Sequence, residues 1–318
     1  MERDVRLSII IVNYNTRDLI AACLKSILSD PPRMDFEIIV VDNASRDGSP
    51  EHIKAAFPGV KLVENSENAG FARACNQGFR LSTGRHILFL NPDAEAGSAA
   101  LEHMADFLEK RPDAGIAGAK TVNLDGTVEP SIYYFPTPWR TFVDSFYLHR
   151  VFPGLNGFEH RGYTAIAAPR KVEVISGSCF MVKREVLDRV GAFDEELWMY
   201  GEDVDLCWRA RKAGWNSYYL PSHPVIHKRG TRHLEEGAPH DIERICCSHY
   251  RWLYHFFDKH FSPAGRRAAA WIVTVHVRAK LAARNKRLRG GDDSPDNLAR
   301  ISGLTRVLRE RGAGQRRG

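Results

Sequence analysis

Five short apolar runs alternate with amphipathic stretches over the first 120 residues, and this alternation restricts the folds open to the chain more than any other feature. LSIIIVN (Leu7 to Asn13), FEIIVVD (Phe36 to Asp42), VKLVEN (Val60 to Asn65), HILFLN (His86 to Asn91) and AGIAGA (Ala114 to Ala119) read as strands. The first, second and fourth are nearly continuous in apolar residues, as parallel strands buried on both faces must be. Helical patterns fill the gaps at Leu19 to Leu28, Ser49 to Phe57, Phe71 to Leu81 and Ala99 to Lys110. Such a βαβ series folds as a mostly parallel sheet flanked by helices and gathers ligands at the carboxyl ends of its strands. Polar residues stand at those ends: Asn13 and Asn15, Asp42 and Asn43, Asn91 and Asp93.

Composition agrees with a folded body, since 43% of the 318 residues are hydrophobic and 26% charged; this excludes disordered and collagen-like chains. Charge is unevenly placed. Residues 264–318 carry a net +10, leaving −4 on the rest. A basic tail on a mildly acidic body points to an anionic surface rather than to a nucleic-acid-binding body. The six cysteines (Cys23, Cys75, Cys179, Cys207, Cys246, Cys247) form no C-x-x-C pair, so free thiols in a reducing compartment are expected. The first apolar run is broken at Asn13 with no cleavage site after it, and AAAWIVTVHV (Ala268 to Val277) is about half the roughly 20 residues of a spanning helix. A cytoplasmic location follows, with peripheral contact at the inner face of the cell membrane as a further option.

Between Thr121 and Lys171 the pattern loosens into prolines and aromatics, among them Trp139, Phe142, Phe146 and Tyr147, and reads as a variable insert that faces an acceptor. Regularity returns with KVEVISGSCFMV, helices near Arg184 to Val190 and Asp203 to Ala213, strands at WNSYYL and PVIHK, and helices at Asp241 to Phe261 and Ala264 to Leu288.

Four stretches can carry chemistry. In VVDNASRDGS, Asp42 ends a buried strand, where a carboxylate can accept from a base or ribose; the same residues equally suit turning the chain and capping the next helix. In LFLNPDAE, Asp93 on a stiff turn suits Mg²⁺ or Mn²⁺ bridging a diphosphate, or else a cap for the helix near Ser98. In FDEELWMYGEDVDLCWRARKAGW, Glu202 and Asp203 precede a helix among aromatics that can exclude water and position a base, whereas Asp205 is better read as a cap or supporting partner. In PVIHKRGTRH, His227 ends a strand and enters a loop with Lys228, Arg229, Gly230 and Arg232, which suits a metal ligand beside cations for phosphate, or a structural histidine. No G-x-G-x-x-G, P-loop or G-x-S-x-G motif is present, which removes support for hydride transfer, P-loop hydrolysis and serine-hydrolase chemistry.

Taken in order, VNYN, VVDNASRDGS, NAGFARACNQG, LFLNPDAE, the Ile175 to Trp215 stretch and VIHKRGTRH resemble the family 2 glycosyltransferases, most nearly bacterial rhamnosyltransferase-like members that extend cell-wall or surface polysaccharides. The resemblance spans about residues 5–235. It implies a GT-A type nucleotide-diphospho-sugar transferase fold over 1–235, with a nucleotide-sugar half (1–120) and an acceptor and catalytic half (121–235), followed by a helical basic extension (236–318). It also implies inverting transfer of a sugar, rhamnose from dTDP-rhamnose being the first guess, from a dTDP- or UDP-linked donor. The implied acceptor is a saccharide or a polyprenyl-diphosphate-linked saccharide. By the same resemblance Asp42 contacts base or ribose, Asn68, Arg73 and Asn76 line the nucleotide side, and Asp93 matches the last acid of a D-x-D metal element. Asn91 stands where many members carry an acid, so Mg²⁺ or Mn²⁺ would rest on Asp93, His227, the diphosphate and water. Asp203 matches the base, with Glu202 second.

The resemblance does not reach the tail, where Trp271, Ile272, Val275 and Leu281 share one helical face ahead of a cluster of Arg and Lys. Such a helix can lie on an anionic bilayer or pack against other helices. Two other classes remain at this level: a nucleic-acid-binding protein using the tail, disfavoured by the acidic body, and a glycoside hydrolase, which would need no diphosphate ion site.

Overall fold

A computed structural model of the chain describes residues 5–152, 154–158, 163–228 and 239–314. They fall into two compact units. The first comprises residues 1–135, 159–198 and 202–230, and the second 136–158, 199–201 and 231–318.

The first unit is a nine-stranded sheet between helices. It begins β1 (Leu7–Asn13), α1 (Arg17–Leu28), β2 (Phe36–Asp42), α2 (Ser49–Ala56), β3 (Lys61–Glu64), α3 (Phe71–Leu81), β4 (His86–Leu90), β5 (Ala94–Glu95), α4 (Ser98–Lys110) and β6 (Ala114–Val122). All seven β1 residues are buried, as its unbroken apolar run requires. α1 buries Ile20, Ala21, Cys23, Leu24 and Ile27, the i, i+3, i+4, i+7 stripe of a helix laid on a sheet. Burying each such Ile or Leu contributes about 1.5–3 kcal/mol.

β3-β2-β1-β4 pair in parallel. The chain order reverses direction at β1, and the carboxyl ends of β1, β2 and β4 therefore open on one side. Beyond β4 the sheet departs from a simple parallel series. After β7 (Ile132–Tyr133), β8 (Arg170–Val172) and β9 (Val174–Ile175), strand β10 (Cys179–Lys183) runs antiparallel between β4 and β6. α7 (Arg184–Val190) and α8 (Glu202–Lys212) follow. WNSYYL and PVIHK, expected as two strands, form one strand, β11 (Asn216–His227). Its register against β6 shifts between Leu220 and Val225, and that irregularity accommodates Pro221 and Pro224, which cannot donate to a ladder. All six cysteines are free.

The second unit contains α5 (Pro138–Ser145), α6 (Leu148–Val151), α9 (Pro239–His260), α10 (Pro263–Arg289) and α11 (Pro295–Gly314). The loosely patterned insert is thus partly helical. Pro138 sits in the first turn of α5, and the Thr137 side chain caps it by accepting from the Arg140 N–H. α11 falls within the helical extension expected over 236–318, although no separate helix was expected there; its start is marked by Ser294, whose hydroxyl accepts from the Asn297 N–H at 3.3 Å. Cys247, Tyr254, Ala270, Val273, Val277, Leu304 and Val307 form the core shared by α9, α10 and α11. The face open on sequence to a bilayer or to other helices is largely taken up by helix packing: Ile272 is buried, Leu281 packs against this core, and Trp271 alone of the set is well exposed. No described helix is long and apolar enough to cross a membrane.

Candidate active site

The ends of β1 and β2 are bound to each other by polar side chains. Asn13 and Asp42 are paired in register and fully buried. The Asn13 amide donates to Asp42 Oδ1 at 2.7 Å and to Ser45 Oγ at 3.1 Å, and Thr16 donates back to Asn13 Oδ1. The other Asp42 oxygen accepts the Ser45 N–H at 2.8 Å. Asp42 thus turns its own loop, and helix α2 takes its polar contacts from Asp47, which accepts from the Ser49 N–H and hydroxyl. The turn is tight. Ala44 and Asn15 both have positive φ, 64° and 52°, conformations that cost a non-glycine residue stability unless the surroundings enforce them. Asn15 Oδ1 accepts from Arg46 N–H, which enforces one of them.

The neighbouring edge is formed by the segment before α3. Asn43 is buried and joins Gly70 O and Asn65; Asn68 accepts from the Gly70 N–H at 3.0 Å. Gly70 has φ +90°, and a Cβ there would collide with the ring and carbonyl of Trp198, whose oxygen accepts the Phe71 N–H. Arg73 is half exposed, 3.4 Å from Glu195. Asn76 faces another way. Its amide donates to Phe193 O and to Glu195, and its oxygen accepts the Phe193 N–H, so its recorded contacts clamp α3 to the 193–195 segment.

Asp93 and His227 do meet. β5 pairs antiparallel with the end of β11, matching Ala94 with His227, and the Lys228 N–H donates to Asp93 O. This sets His227 Nε2 3.1 Å from Asp93 Oδ1 and 3.3 Å from the Asn91 amide. On the other ring nitrogen, Nδ1 lies 2.7 Å from Oε2 of Glu129, a buried carboxylate outside every motif recognised in the sequence. Burial lowers the basicity of His227, but hydrogen bonds with Asp93 and Glu129 outweigh it and push its pKa up to about 9. Glu129 arrives there because the Asn123–Thr127 turn folds the chain back along β6, with its N–H on Thr121 O. The T-V-N-L-D-G-T-V pattern is an Asp-Gly hairpin signal that could have laid Glu129 back along β6, though not beside His227. Lys228 pairs with Glu95; Arg229, Gly230 and Arg232 lie outside the described residues.

Among the described residues no group of three His, Cys, Asp or Glu converges as a metal cage. Asp93 nevertheless offers a hard oxygen, and His227, 3.1 Å away, offers an imidazole nitrogen once a bound cation displaces the proton that Asp93 and Glu129 hold on it. That donor set fits Mg²⁺ or Mn²⁺ held mainly by substrate phosphates, which take few protein ligands.

Glu202 and Asp203 open α8 rather than preceding it. Asp203 Oδ2 accepts the Gly177 N–H at 2.9 Å and Oδ1 the Val204 N–H at 2.8 Å. One residue past Gly177, Ser178 O accepts the Asn91 N–H at 3.0 Å. The Gly177–Ser178 bend therefore ties Asp203 to the strand end that bears Asn91 and Asp93. Burial raises the Asp203 pKa, against the opposing pull of those N–H groups. Glu202 is buried with Oε2 lacking any hydrogen-bond partner, and burial, then the Asp203 charge, hold its pKa well above the usual carboxylate range. Asp205 is structural. It pairs with Arg209 at 2.7 Å, and that guanidinium donates to the carbonyls of Val190, Gly191 and Ala192.

A doubly wound nucleotide-binding sheet with acids and a histidine at its carboxyl edge defines a GT-A type sugar-nucleotide transferase fold. Residues 8–191 match the family model described as Glycosyl transferase family 2, and the chain belongs to that family. This membership decides against the hydrolase reading. Among curated proteins the chain is 28% identical over 300 residues to an N-acetylglucosaminyl-diphospho-decaprenol L-rhamnosyltransferase of Mycobacterium tuberculosis, covering 88% of this chain and 93% of that one. It is 28% identical over 214 residues to the low-salt glycan biosynthesis hexosyltransferase Agl10 of Haloferax volcanii, covering 66% and 63%. Among solved structures it is similar in fold to the mannosyltransferase PcManGT of Pyrobaculum calidifontis in complex with GDP-Man and Mn²⁺, with TM-score 0.55, 18% identity, and 96% and 88% of the two chains covered. It is also similar to residues 1–349 of S. aureus TarS in complex with UDP, with TM-score 0.52, 17% identity, and 86% and 72% covered.

Proposed function

We propose that this glycosyltransferase inverts at the anomeric carbon, moving a sugar from a dTDP- or UDP-linked donor to a saccharide on a polyprenyl-diphosphate carrier at the cytoplasmic face of the membrane, in cell-wall or surface polysaccharide synthesis. Rhamnose is the first donor to test. The likeness to a rhamnosyltransferase acting on a decaprenol-linked sugar, over nearly the whole of both chains, supports that choice.

One observation carries the mechanism: Asp203, with raised basicity, is tied by the Gly177–Ser178 bend to the strand end bearing Asp93. In the reading that follows, Asp203 takes the proton of the acceptor hydroxyl. The acceptor oxygen bonds to carbon one from the face opposite the diphosphate, and the carbon–oxygen bond to the diphosphate breaks. Burial and the Asp203 charge favour a proton on Glu202, while two N–H groups favour the charged form of Asp203. Asp42, Asn43, Asn13, Asn15, Asn68 and Arg73 surround the base and ribose, with Asn76 as a positioning residue. A divalent ion, when bound, neutralises the charge that develops on the leaving diphosphate. Asp93 and His227 would hold it, Asn91 would stand beside it, and Glu129 would fix the imidazole with Nε2 towards Asp93, as carboxylates behind ligating histidines do.

A panel of nucleotide sugars, each with Mg²⁺ or Mn²⁺, tests this by thermal shift, since a ligand that binds only the folded state raises its stability. A dTDP- or UDP-sugar that stabilises and is then transferred supports the reading. Transfer with retained anomeric configuration, or stabilisation by no nucleotide sugar, sinks it.

A further inference from the structure

The aromatic residues of the 136–158 segment do not belong to the site described above, and many are on the surface. Trp139 is 56% exposed, Val151 70% and Phe152 57%, with Phe146 and Tyr147 also exposed. They are not scattered. Trp139 stacks on Phe142 at 5.8 Å between centroids, and Phe142 meets Phe146 at 4.8 Å, so the rings form a continuous ridge along one side of α5. Other parts of α5 are occupied: Thr141, opposite Trp139, is buried, Val143 beside the rings is buried too, and His276 of α10 hydrogen-bonds Ser145 O at 2.8 Å. A ridge of this kind is the sort of apolar surface that marks an interaction site.

Charge identifies the partner. Arg150 lies 4.7 Å from the Tyr147 ring centroid, and Lys280 of α10 donates to the Tyr147 hydroxyl at 2.8 Å. Residues 136–158 and 263–289 together hold ten Lys and Arg against one acid, Asp144, and of the ten Arg266, Arg284 and Arg287 pair with Asp258, Asp296 and Asp292 outside these segments. Asp144 itself is engaged with the Phe158 N–H and lies 3.5 Å from His149. A second copy of this chain would set like charges against each other across a symmetric contact. An acidic headgroup layer over hydrocarbon answers both features, because aromatic rings favour the interfacial zone and cations favour anionic headgroups.

We propose that the ridge of Trp139, Phe142 and Phe146, together with exposed Val151 and Phe152 at the end of α6 and with Arg150 and Lys280 at Tyr147, seats the protein on an anionic phospholipid bilayer. This replaces the apolar face of α10 as the membrane contact, and it rests on the transferase reading only in that a lipid-linked acceptor gives the docking a purpose.

The test is co-sedimentation of the full chain with phosphatidylcholine vesicles and with vesicles containing phosphatidylglycerol, for wild type and for Trp139→Ser/Phe152→Ser. Wild type should partition onto the phosphatidylglycerol vesicles and leave them as salt rises, and the double variant should partition about tenfold less with an unchanged melting temperature. Equal partitioning of the two proteins, or no binding by wild type, overturns the proposal. So does a wild-type dimer in light scattering that the variant turns into a monomer. Donor nucleotide-sugar affinity, read by calorimetry, should be the same in both proteins, and its absence in both would count against the transferase reading while leaving the membrane result standing.

Discussion

Glu129 Oε2 and His227 Nδ1 stand 2.7 Å apart although 98 residues separate them in the chain. The contact is made by two adjoining strand ends, β6 through its hairpin turn and β11 through its last residue. It holds the imidazole in one orientation, with Nε2 turned to Asp93. Glu129→Ala should weaken Mn²⁺ binding by roughly 10–100-fold, the usual cost of losing the group behind a ligating histidine. Titration of Mn²⁺ by electron paramagnetic resonance, with nucleotide present, reads this directly. Glu129→Gln, whose amide oxygen still accepts from Nδ1, should recover most of the affinity; if the alanine variant binds Mn²⁺ like wild type, Glu129 does not position this histidine.

Asp203→Asn keeps the side chain's shape and removes its capacity to take a proton. Turnover should fall by on the order of 10²–10⁴, the range attributed to a positioned base. Calorimetry should find donor affinity within a few-fold of wild type. Turnover within tenfold of wild type would give the proton to another group.

Glu202 makes a separate statement about stability and pH. Its folded-state pKa is raised above the ordinary value of 4.5, so between the two the folded chain holds a proton that the unfolded chain has lost. Stability must therefore fall as pH rises through that window. Glu202→Gln cannot ionise and should flatten this part of the profile. Urea midpoints from pH 5 to 8 check it, and parallel curves for the two proteins would contradict the burial described here.

Glu37 has the opposite sign. Burial raises its pKa, but hydrogen bonds from Lys61, Ser8 and the Thr83 N–H and hydroxyl outweigh this and bring it to about 2. The carboxylate then stabilises the fold fully above about pH 4.5 and loses that contribution as pH falls towards 2. The effect is on the order of 2 kcal/mol. Glu37→Gln should be less stable than wild type at neutral pH and converge with it in acid, which chemical denaturation at a series of pH values will show.

Gly70→Ala should damage the site without touching its acids. The added Cβ meets the Trp198 ring and carbonyl at a positive φ, so the Phe71 N–H to Trp198 O contact must shift. A loss of about 1–3 kcal/mol in stability is expected, with weaker nucleotide binding. A variant with unchanged midpoint and affinity would mean that this close approach carries no weight.

The local features of this protein were legible in its sequence. Runs such as LSIIIVN bury every residue, so their apolar continuity announces parallel strands, and the period of α1 announces a helix on that sheet. Asn13, Asp42, Asn91 and Asp93 stand at strand ends because a βαβ series leaves its polar turns there. Pairings between distant segments were decided by tertiary structure. Nothing in the order of residues puts antiparallel β10 between β4 and β6, turns Asn76 towards Phe193, or brings Glu129 to His227. The apolar face of α10, open on sequence to a bilayer or to other helices, buries Ile272 and packs Leu281 against the core shared with α9 and α11, while Trp271 stays exposed. Periodicity records which side of an element is apolar. What that side meets depends on contacts whose free energy exists only once the chain has closed on itself.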